Sequence, residues 1–229
     1  MTLSIIIPCY NEISTIETVI DRVLANNDYK KEIIVIDDFS TDGTREILKE
    51  KLSDKITKLI LNEKNFGKGF SVRQGIKMAS GNIILIQDAD LEYDPSDYFK
   101  LVNPIKKGIA DVVYGSRFIG AEEKRVLYYW HSLGNYLLTL LSNMLSNLNL
   151  TDMEVCYKAF KKEAIQNIEL KENRFGFEPE ITAKIAKKEL RIFEVGVKYY
   201  GRKYDEGKKI TWKDGISALR CIIYYNLFD

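Results

Sequence analysis

N-I-I-L-I-Q-D-A-D, residues 82–90, is an apolar run that ends abruptly on two aspartates. It is short and rich in isoleucine, and it reads as a strand buried on both faces. The same syntax recurs along the chain. S-I-I-I-P-C-Y at 4–10 breaks into Asn11-Glu12, E-I-I-V-I-D-D at 32–38 ends on Asp37-Asp38, and D-V-V-Y at 111–114 runs into Gly115-Ser116-Arg117. An alternating strand is expected over 56–61. Helical spacing fills the gaps. Ile13, Ile16, Val19, Ile20, Val23 and Leu24 follow a capping Asn11, and a second helix is expected over 45–52. A third runs to about Ala79 and is stopped by Gly81, and a fourth is opened by Asp94-Pro95.

Strand and helix thus alternate through residues 1–118, the order of an α/β fold with a mostly parallel sheet flanked by helices. In such sheets ligands sit beyond the carboxyl ends of the strands. Four polar clusters are expected there together: Tyr10-Asn11-Glu12, Asp37-Asp38, Asp88-Ala89-Asp90 and Gly115-Ser116-Arg117. The second half changes character. Between Arg125 and Asp152 there is no charged residue, and Ser132, Asn135, Thr139, Ser142, Asn143 and Ser146 recur at spacings of three and four among leucines. That is an uncharged amphipathic helix, with two readings: core packing, or a place in a membrane interface. A helix over 178–188, a late strand over 191–200, a basic loop over 202–209 and an amphipathic segment over 215–228 complete the chain.

Composition narrows the function classes. Thirty-four basic against 33 acidic residues leave a net charge of +1, which argues against a bulk nucleic-acid binder. With 45% apolar and 29% charged residues the chain is globular in composition, not disordered. No apolar run approaches the roughly 20 residues a bilayer span needs. Met1-Thr2-Leu3-Ser4-Ile5 lacks a basic n-region, so no signal peptide is read. Cys9, Cys156 and Cys221 are scattered and read as reduced, buried or half-buried thiols of a cytoplasmic protein.

Asp88 and Asp90 carry hard oxygen ligands of the kind Mg²⁺ and Mn²⁺ prefer, and Glu92 adds a third. Alternate residues on an extended backbone diverge, so a turn must bring them to one cation. The bland alternative is a solvated turn. Asp38 suits hydrogen bonds from a sugar hydroxyl or a base, or else caps the next helix. Tyr10 is placed to stack on a flat base and Glu12 to accept from it, or both simply leave a strand. Asn65-Phe66-Gly67-Lys68-Gly69 resembles a phosphate loop but lacks G-x-x-x-x-G-K-[ST], which disfavours a Walker-type ATPase. His131, the single histidine, has packing, acceptor-phosphate contact and general base as its readings. Asp152 reads as a loop anchor, or as a base if the acceptor is a hydroxyl. Glu178 before Pro179 suits a helix N-terminus, with a site role as the alternative.

P-C-Y-N-E at 8–12, D-D-F-S-T-D-G-T at 37–44, N-F-G-K-G-F-S-V-R-Q-G at 65–75, Q-D-A-D-L-E at 87–92 and G-S-R-F at 115–118 appear in that order. Together they resemble family 2 of the glycosyltransferases. T-D-M-E-V-C-Y-K-A-F at 151–160, F-G-F-E-P-E at 175–180 and Y-Y-G-R-K-Y-D-E-G-K-K-I at 199–210 are similar to the dolichol-phosphate mannose synthase branch and its bacterial polyprenyl-phosphate relatives. The resemblance covers nearly the whole chain. It implies a GT-A fold, Rossmann-like, as one domain with a nucleotide-sugar-binding half over 1–118 and an acceptor-binding half over 119–229.

It also implies Pro8, Tyr10, Glu12, Ile36 and Asp38 around the nucleoside. Asp88, Ala89 and Asp90 fall at the donor diphosphate, with Asp90 and Glu92 toward Mg²⁺ or Mn²⁺. Lys68 joins the substrate-binding set, and Arg117 faces phosphate. Arg202 and Lys208 fall on a basic loop that closes over donor and acceptor. The synthase often has glutamine at the position of Glu92. Glutamate would still ligate but adds charge.

The implied reaction is inverting transfer of a hexose, mannose from GDP-mannose first, to a dolichyl or polyprenyl phosphate, with Asp88, Asp90 and Arg117 central. A phosphate acceptor is already anionic, so no strong base is required. The alternatives are a family 2 transferase acting on a glycan hydroxyl in cell-surface polysaccharide synthesis, and a non-catalytic nucleotide-sugar-binding subunit. Without a spanning segment, the chain is expected on the cytoplasmic membrane face. It would reach its lipid from the surface, through a membrane-anchoring partner subunit, or as a homo-oligomer.

Overall fold

The computed structural model describes residues 1–120, 123–126, 128–203, 206–207, 209 and 212–229. The first strands and helices follow the expected alternation: β1 (Thr2–Cys9), α1 (Ile16–Ala25), β2 (Lys30–Asp37), α2 (Thr44–Glu50), β3 (Lys58–Leu61), α3 (Lys68–Met78), β4 (Ile83–Ile86), α4 (Tyr98–Lys106) and β5 (Val112–Ser116). After them come α5 (Tyr129–Ser146), β6 (Lys158–Lys161), α6 (Lys162–Gln166), α7 (Phe177–Ala186), β7 (Ile192–Gly196) and α8 (Trp212–Leu227).

The seven strands form one sheet in the order β3-β2-β1-β4-β6-β5-β7. β1 is an interior strand, and Leu3, Ile5, Ile6 and Ile7 are fully buried, which is why the run is nearly continuously apolar. β1 pairs in parallel with β2 and β4, β2 with β3, and β5 with β7. The exception is β6, which runs antiparallel to both β4 and β5. β4 and β5 therefore run in the same sense, and the exits of β1, β2, β4 and β5 meet at one sheet edge, as expected. The reversed strand adds something the sequence reading lacked. The lead-in to β6, rather than its exit, lies at that edge.

Local differences have local causes. Asn11 does not cap α1. It takes a left-handed φ of 51°, and its Oδ1 accepts from Thr41 N at 2.8 Å. The chain turns through residues 12–15 first, so α1 begins at Ile16 and Ile13 stays exposed. Gly81 is not a helix cap either. A Cβ there would lie 2.7 Å from Ser4 Oγ and 2.7 Å from Thr2 O, so it permits close approach to β1. Gly75 does the same within α3, where a Cβ would meet Ile6 Cγ2 at 2.4 Å.

α5 turns its pattern inside out. Its buried residues are Thr139 and Ser142, while Tyr136, Leu137, Leu140 and Met144 are exposed. It packs on α7 and α8 rather than on the sheet, so the core reading of this helix fails. α8 likewise exposes Trp212, Ile216, Leu219, Ile223, Leu227 and Phe228. No helix among the described residues is long and apolar enough to cross a membrane. All three cysteines are buried and free.

Candidate active site

A cleft of about 910 Å³ opens at the sheet edge where the strand exits meet. Pro8, Tyr10, Glu12, Asp38, Lys68, Asp88, Ala89, Asp90, Glu92, Arg117, His131 and Arg202 all line it. The fold thus gathers nearly all the expected site residues. Ile36 is the exception. It is fully buried on β2 and packs toward Gly75 of α3, because strand alternation sends its side chain to the helix-covered face. The lysine expected at position 208 lies outside the described residues. Its neighbour Lys209 lines the cleft and reaches Glu12 Oε1 at 2.6 Å.

Three of the four strand exits are bent by a non-glycine residue with positive φ: Asn11 after β1, Phe39 after β2 and Leu91 after β4. Leu91, at 63°, turns the chain between Asp90 and Glu92. Such conformations are costly for a bulky side chain and are concentrated at functional sites.

Asp37 and Asp38 divide their duties. Asp37 is fully buried and pairs with Arg45 Nε at 2.8 Å, a structural role. Asp38 accepts from Asn62 Nδ2 at 2.8 Å, Phe66 N at 2.9 Å and Gly67 N at 2.7 Å. Its carboxylate holds the 62–67 loop in place at the cleft wall. Gly67, at φ 102°, is needed because a Cβ would stand 2.4 Å from Asn173 O. That motif is a backbone-to-backbone fit as much as a phosphate loop.

Acids and bases interleave across the cleft. Lys68 Nζ sits 2.9 Å from Asp88 Oδ1 and 3.4 Å from Glu178 Oε1. Burial works against its charge, but Asp88 and Glu178 are among the groups that outweigh it, and its pKa rises well above the usual lysine value. Arg202 Nη2 lies 3.1 Å from Glu12 Oε1 and 2.9 Å from Asp90 Oδ2. Glu92 accepts from Tyr199 Oη at 2.9 Å and from Arg202 N at 2.7 Å. Burial, then the Asp88 and Glu92 charges, push Asp90 up to about 8 despite Arg202.

Among the described residues no three His, Cys, Asp or Glu side chains form a ready-made metal cage. The surplus of negative charge at Asp90 nonetheless fits a hard divalent cation whose shell is completed by water and substrate phosphates. Asp88, Asp90 and Glu92 have the right chemistry to hold it.

Arg117 is the best-anchored cation. Its Nε and Nη2 each lie 2.6 Å from Asp152, which is fully buried, and Nη2 lies 3.1 Å from Asn135 Oδ1. Tyr199 lies under the guanidinium, 5.2 Å from its carbon to the ring centroid. Asp152 is thereby committed to Arg117 by two parallel hydrogen bonds, the anchoring role rather than that of a base. His131 lines the cleft on the first turns of α5, 5.7 Å from the Tyr128 ring.

Sequence reading missed Asn135, Glu154, Cys156 and Arg174, which also line the cleft. Glu154 interrupts an otherwise apolar run over 153–157 that leads into β6, and that interruption was the available signal.

The fold is of GT-A type. Over the whole chain it superposes on glucosyl-3-phosphoglycerate synthase from Mycobacterium tuberculosis in complex with Mn²⁺, UDP and phosphoglyceric acid, with a TM-score of 0.77, 20% identity and 79% of that chain covered. Residues 4–169 match the profile of Glycosyl transferase family 2, and the chain belongs to that family of glycosyltransferases.

Among similar proteins, a dolichol-phosphate mannosyltransferase of Pyrococcus furiosus is 32% identical over 92% of this chain and 61% of its own length. A dolichyl-phosphate β-glucosyltransferase of Trichomonas vaginalis is 27% identical over 98% of this chain and 74% of its own. A dodecaprenyl-phosphate galacturonate synthase of Rhizobium johnstonii is 24% identical over 91% and 62%. The chain spans about three fifths of the first and third of these.

Proposed function

We propose that this chain transfers a hexose from a nucleoside diphosphate sugar to the phosphate of a dolichyl or polyprenyl lipid at a membrane surface. The observation that carries the reading is the makeup of the cleft wall. The first turns of α5 and α8 line the same cleft as Asp88, Asp90 and Arg117, and both helices expose apolar side chains beyond it. A lipid phosphate held at that wall would reach the site while its chain stays in an apolar layer. The names of the relatives point the same way, since all three carry a polyprenol-type phosphate.

An acceptor phosphate oxygen forms the new bond to the anomeric carbon as the bond to the diphosphate oxygen breaks. The electron pair leaves with the nucleoside diphosphate, and the configuration inverts. Arg117, oriented by Asp152, binds the approaching phosphate. Lys68 and Arg202 offset charge on the leaving group. Tyr10, Glu12 and Asp38 hold the nucleoside, Pro8 shapes the wall around it, Ala89 lies at the diphosphate, and His131 contacts the acceptor. Asp88, Asp90 and Glu92 would hold Mg²⁺ or Mn²⁺, which supplies Lewis-acid stabilisation of the diphosphate. No general base is needed, and the prior engagement of Asp152 disfavours a hydroxyl acceptor.

GDP-mannose is the first donor to test. A membrane-anchoring partner or a second copy is an alternative cover for the apolar face. The deciding experiment is a panel of radiolabelled sugar nucleotides with a short polyprenyl phosphate and Mg²⁺ or Mn²⁺. Metal-dependent label in the organic phase is expected. Label transferred only to free glycan overturns the lipid reading, and donor binding without any transfer indicates a binding subunit.

A further inference from the structure

Two carboxyl groups in the cleft have no part in the reaction as described. Glu178 enters from the first turn of α7 and is 3% exposed, and its Oε2 has no hydrogen-bond partner. Glu154 enters from the lead-in to β6, and its Oε1 is buried without a partner as well. Both line the cleft. Lys158, a buried cation on β6, donates to the carbonyls of Met153 and Val155. A buried acceptor left unpaired is destabilising, so two facing one cavity point to a ligand that brings donors.

Lys68 fixes where that ligand group lies. Its ammonium spans Asp88 at 2.9 Å and Glu178 at 3.4 Å, so Glu178 stands one side chain away from the diphosphate end of the site. A group attached to the outer phosphate of a nucleotide bound at Asp88 would lie on the Glu178 side of Lys68, in the cleft that Glu154 also lines. We infer that Glu154 and Glu178 form the sugar-recognition wall, accepting hydrogen bonds from the hydroxyls of a neutral hexose and rejecting a hexuronic acid. This rests on the nucleotide-sugar reading above.

The charge balance supports the selectivity. Burial and the Glu178 charge push Glu154 up to about 8, so near neutrality its carboxyl can donate as well as accept. A hydroxyl accepts from one and donates to the other. A sugar carboxylate would bring a further negative charge into the same dry space. Unpaired polar groups also discriminate strongly against a ligand that cannot satisfy them.

The test is calorimetric binding to the full chain with Mn²⁺. The probes are UDP, UDP-glucose and UDP-glucuronate, and GDP, GDP-mannose and GDP-mannuronate. The neutral sugar nucleotide is expected to bind about tenfold or more tightly than its uronate counterpart in whichever series binds. Glu154→Gln and Glu178→Gln should each worsen the affinity for the sugar nucleotide relative to its bare diphosphate by about tenfold. A merely structural role would lower the melting temperature and leave that ratio unmoved.

Uronate binding as tight as hexose, or an unmoved ratio in the variants, overturns the wall and leaves the nucleotide-sugar reading standing. No binding of any nucleotide or sugar nucleotide overturns both. Should Glu178→Gln not fold, Glu154→Gln and the wild-type hexose–uronate comparison still decide.

Discussion

Arg202 reaches Asp90 across the cleft, with Nη2 2.9 Å from Oδ2, and lands among the carboxylates that a divalent cation would share. The same guanidinium holds Glu12 at 3.1 Å, so one side chain ties the exits of β1 and β4 to the late basic loop. In the free chain it supplies the positive charge that substrate and cation would otherwise bring. Arg202→Ala is expected to lower kcat/KM by about 10²-fold, the usual scale for losing one charge-stabilising donor. Arg202→Lys should recover little, because a point charge cannot bridge two carboxylates in a fork. Steady-state kinetics with saturating acceptor would show both effects.

Asp90 lies between Asp88 and Glu92 in the acidic turn, and the charges of both crowd its carboxylate. Asp90→Ala should abolish metal-dependent transfer to below about 1% of wild type, on the scale of losing a principal electrostatic group. An Mn²⁺ titration of initial rates would check it. Full metal-dependent turnover in this variant would remove Asp90 from the mechanism.

Asp152 has no exposed surface and carries the Arg117 guanidinium. Asp152→Ala leaves a buried cation without its partner, and the expected loss of stability is about 3–5 kcal/mol. Urea denaturation gives that figure directly. Asp152→Asn keeps the shape and loses the charge, so it should fold better than the alanine variant while still losing turnover.

Met144 on α5 and Phe228 just after α8 are 71% and 73% exposed, and neither lines the cleft. Met144→Lys and Phe228→Lys should each change stability by about 0.5 kcal/mol or less. Together they should cut co-sedimentation with neutral vesicles containing polyprenyl phosphate by about tenfold, because apolar insertion is what the pair removes. Unchanged sedimentation would assign this face to a protein partner.

Glu154 predicts a pH dependence of stability. It is faced by Glu178 from α7, Lys158 from β6, Arg117 after β5 and Asp152 from its own lead-in. Burial first, then Glu178, raises its pKa from the usual glutamate value to about 8. The unfolded chain releases this proton near the ordinary value, while the folded chain keeps it. Stability is therefore fully present at acid pH and declines as pH rises toward 8, by up to about 1.4 kcal/mol per pH unit. Melting curves from pH 5 to 8 should show the decline in wild type and a flatter profile in Glu154→Gln.

The strands, the acidic strand exits and the carboxylates suited to a cation were legible in the sequence. A four- to eight-residue apolar run is a local signal, and parallel order brings the exits of such runs to one edge. The family motifs placed Lys68, Arg117 and Arg202 as well. Only the tertiary structure decided the rest. β6 is short, and its insertion between β4 and β5 rests on pairings as distant in sequence as Ile83 with Lys161 and Val112 with Phe160, which no local pattern encodes. Because it runs backward, its entry carries Asp152, Glu154 and Cys156 to an edge where strand exits alone were expected.

The orientation of α5 was equally hidden. Periodicity shows that a helix has two faces but not which one the protein buries, and here contacts with α7 and α8 turn Thr139 and Ser142 inward and leave leucines outside. Local chemistry determined which groups this protein has to work with. Long-range packing determined which of them are paired, which are buried, and which face the cleft.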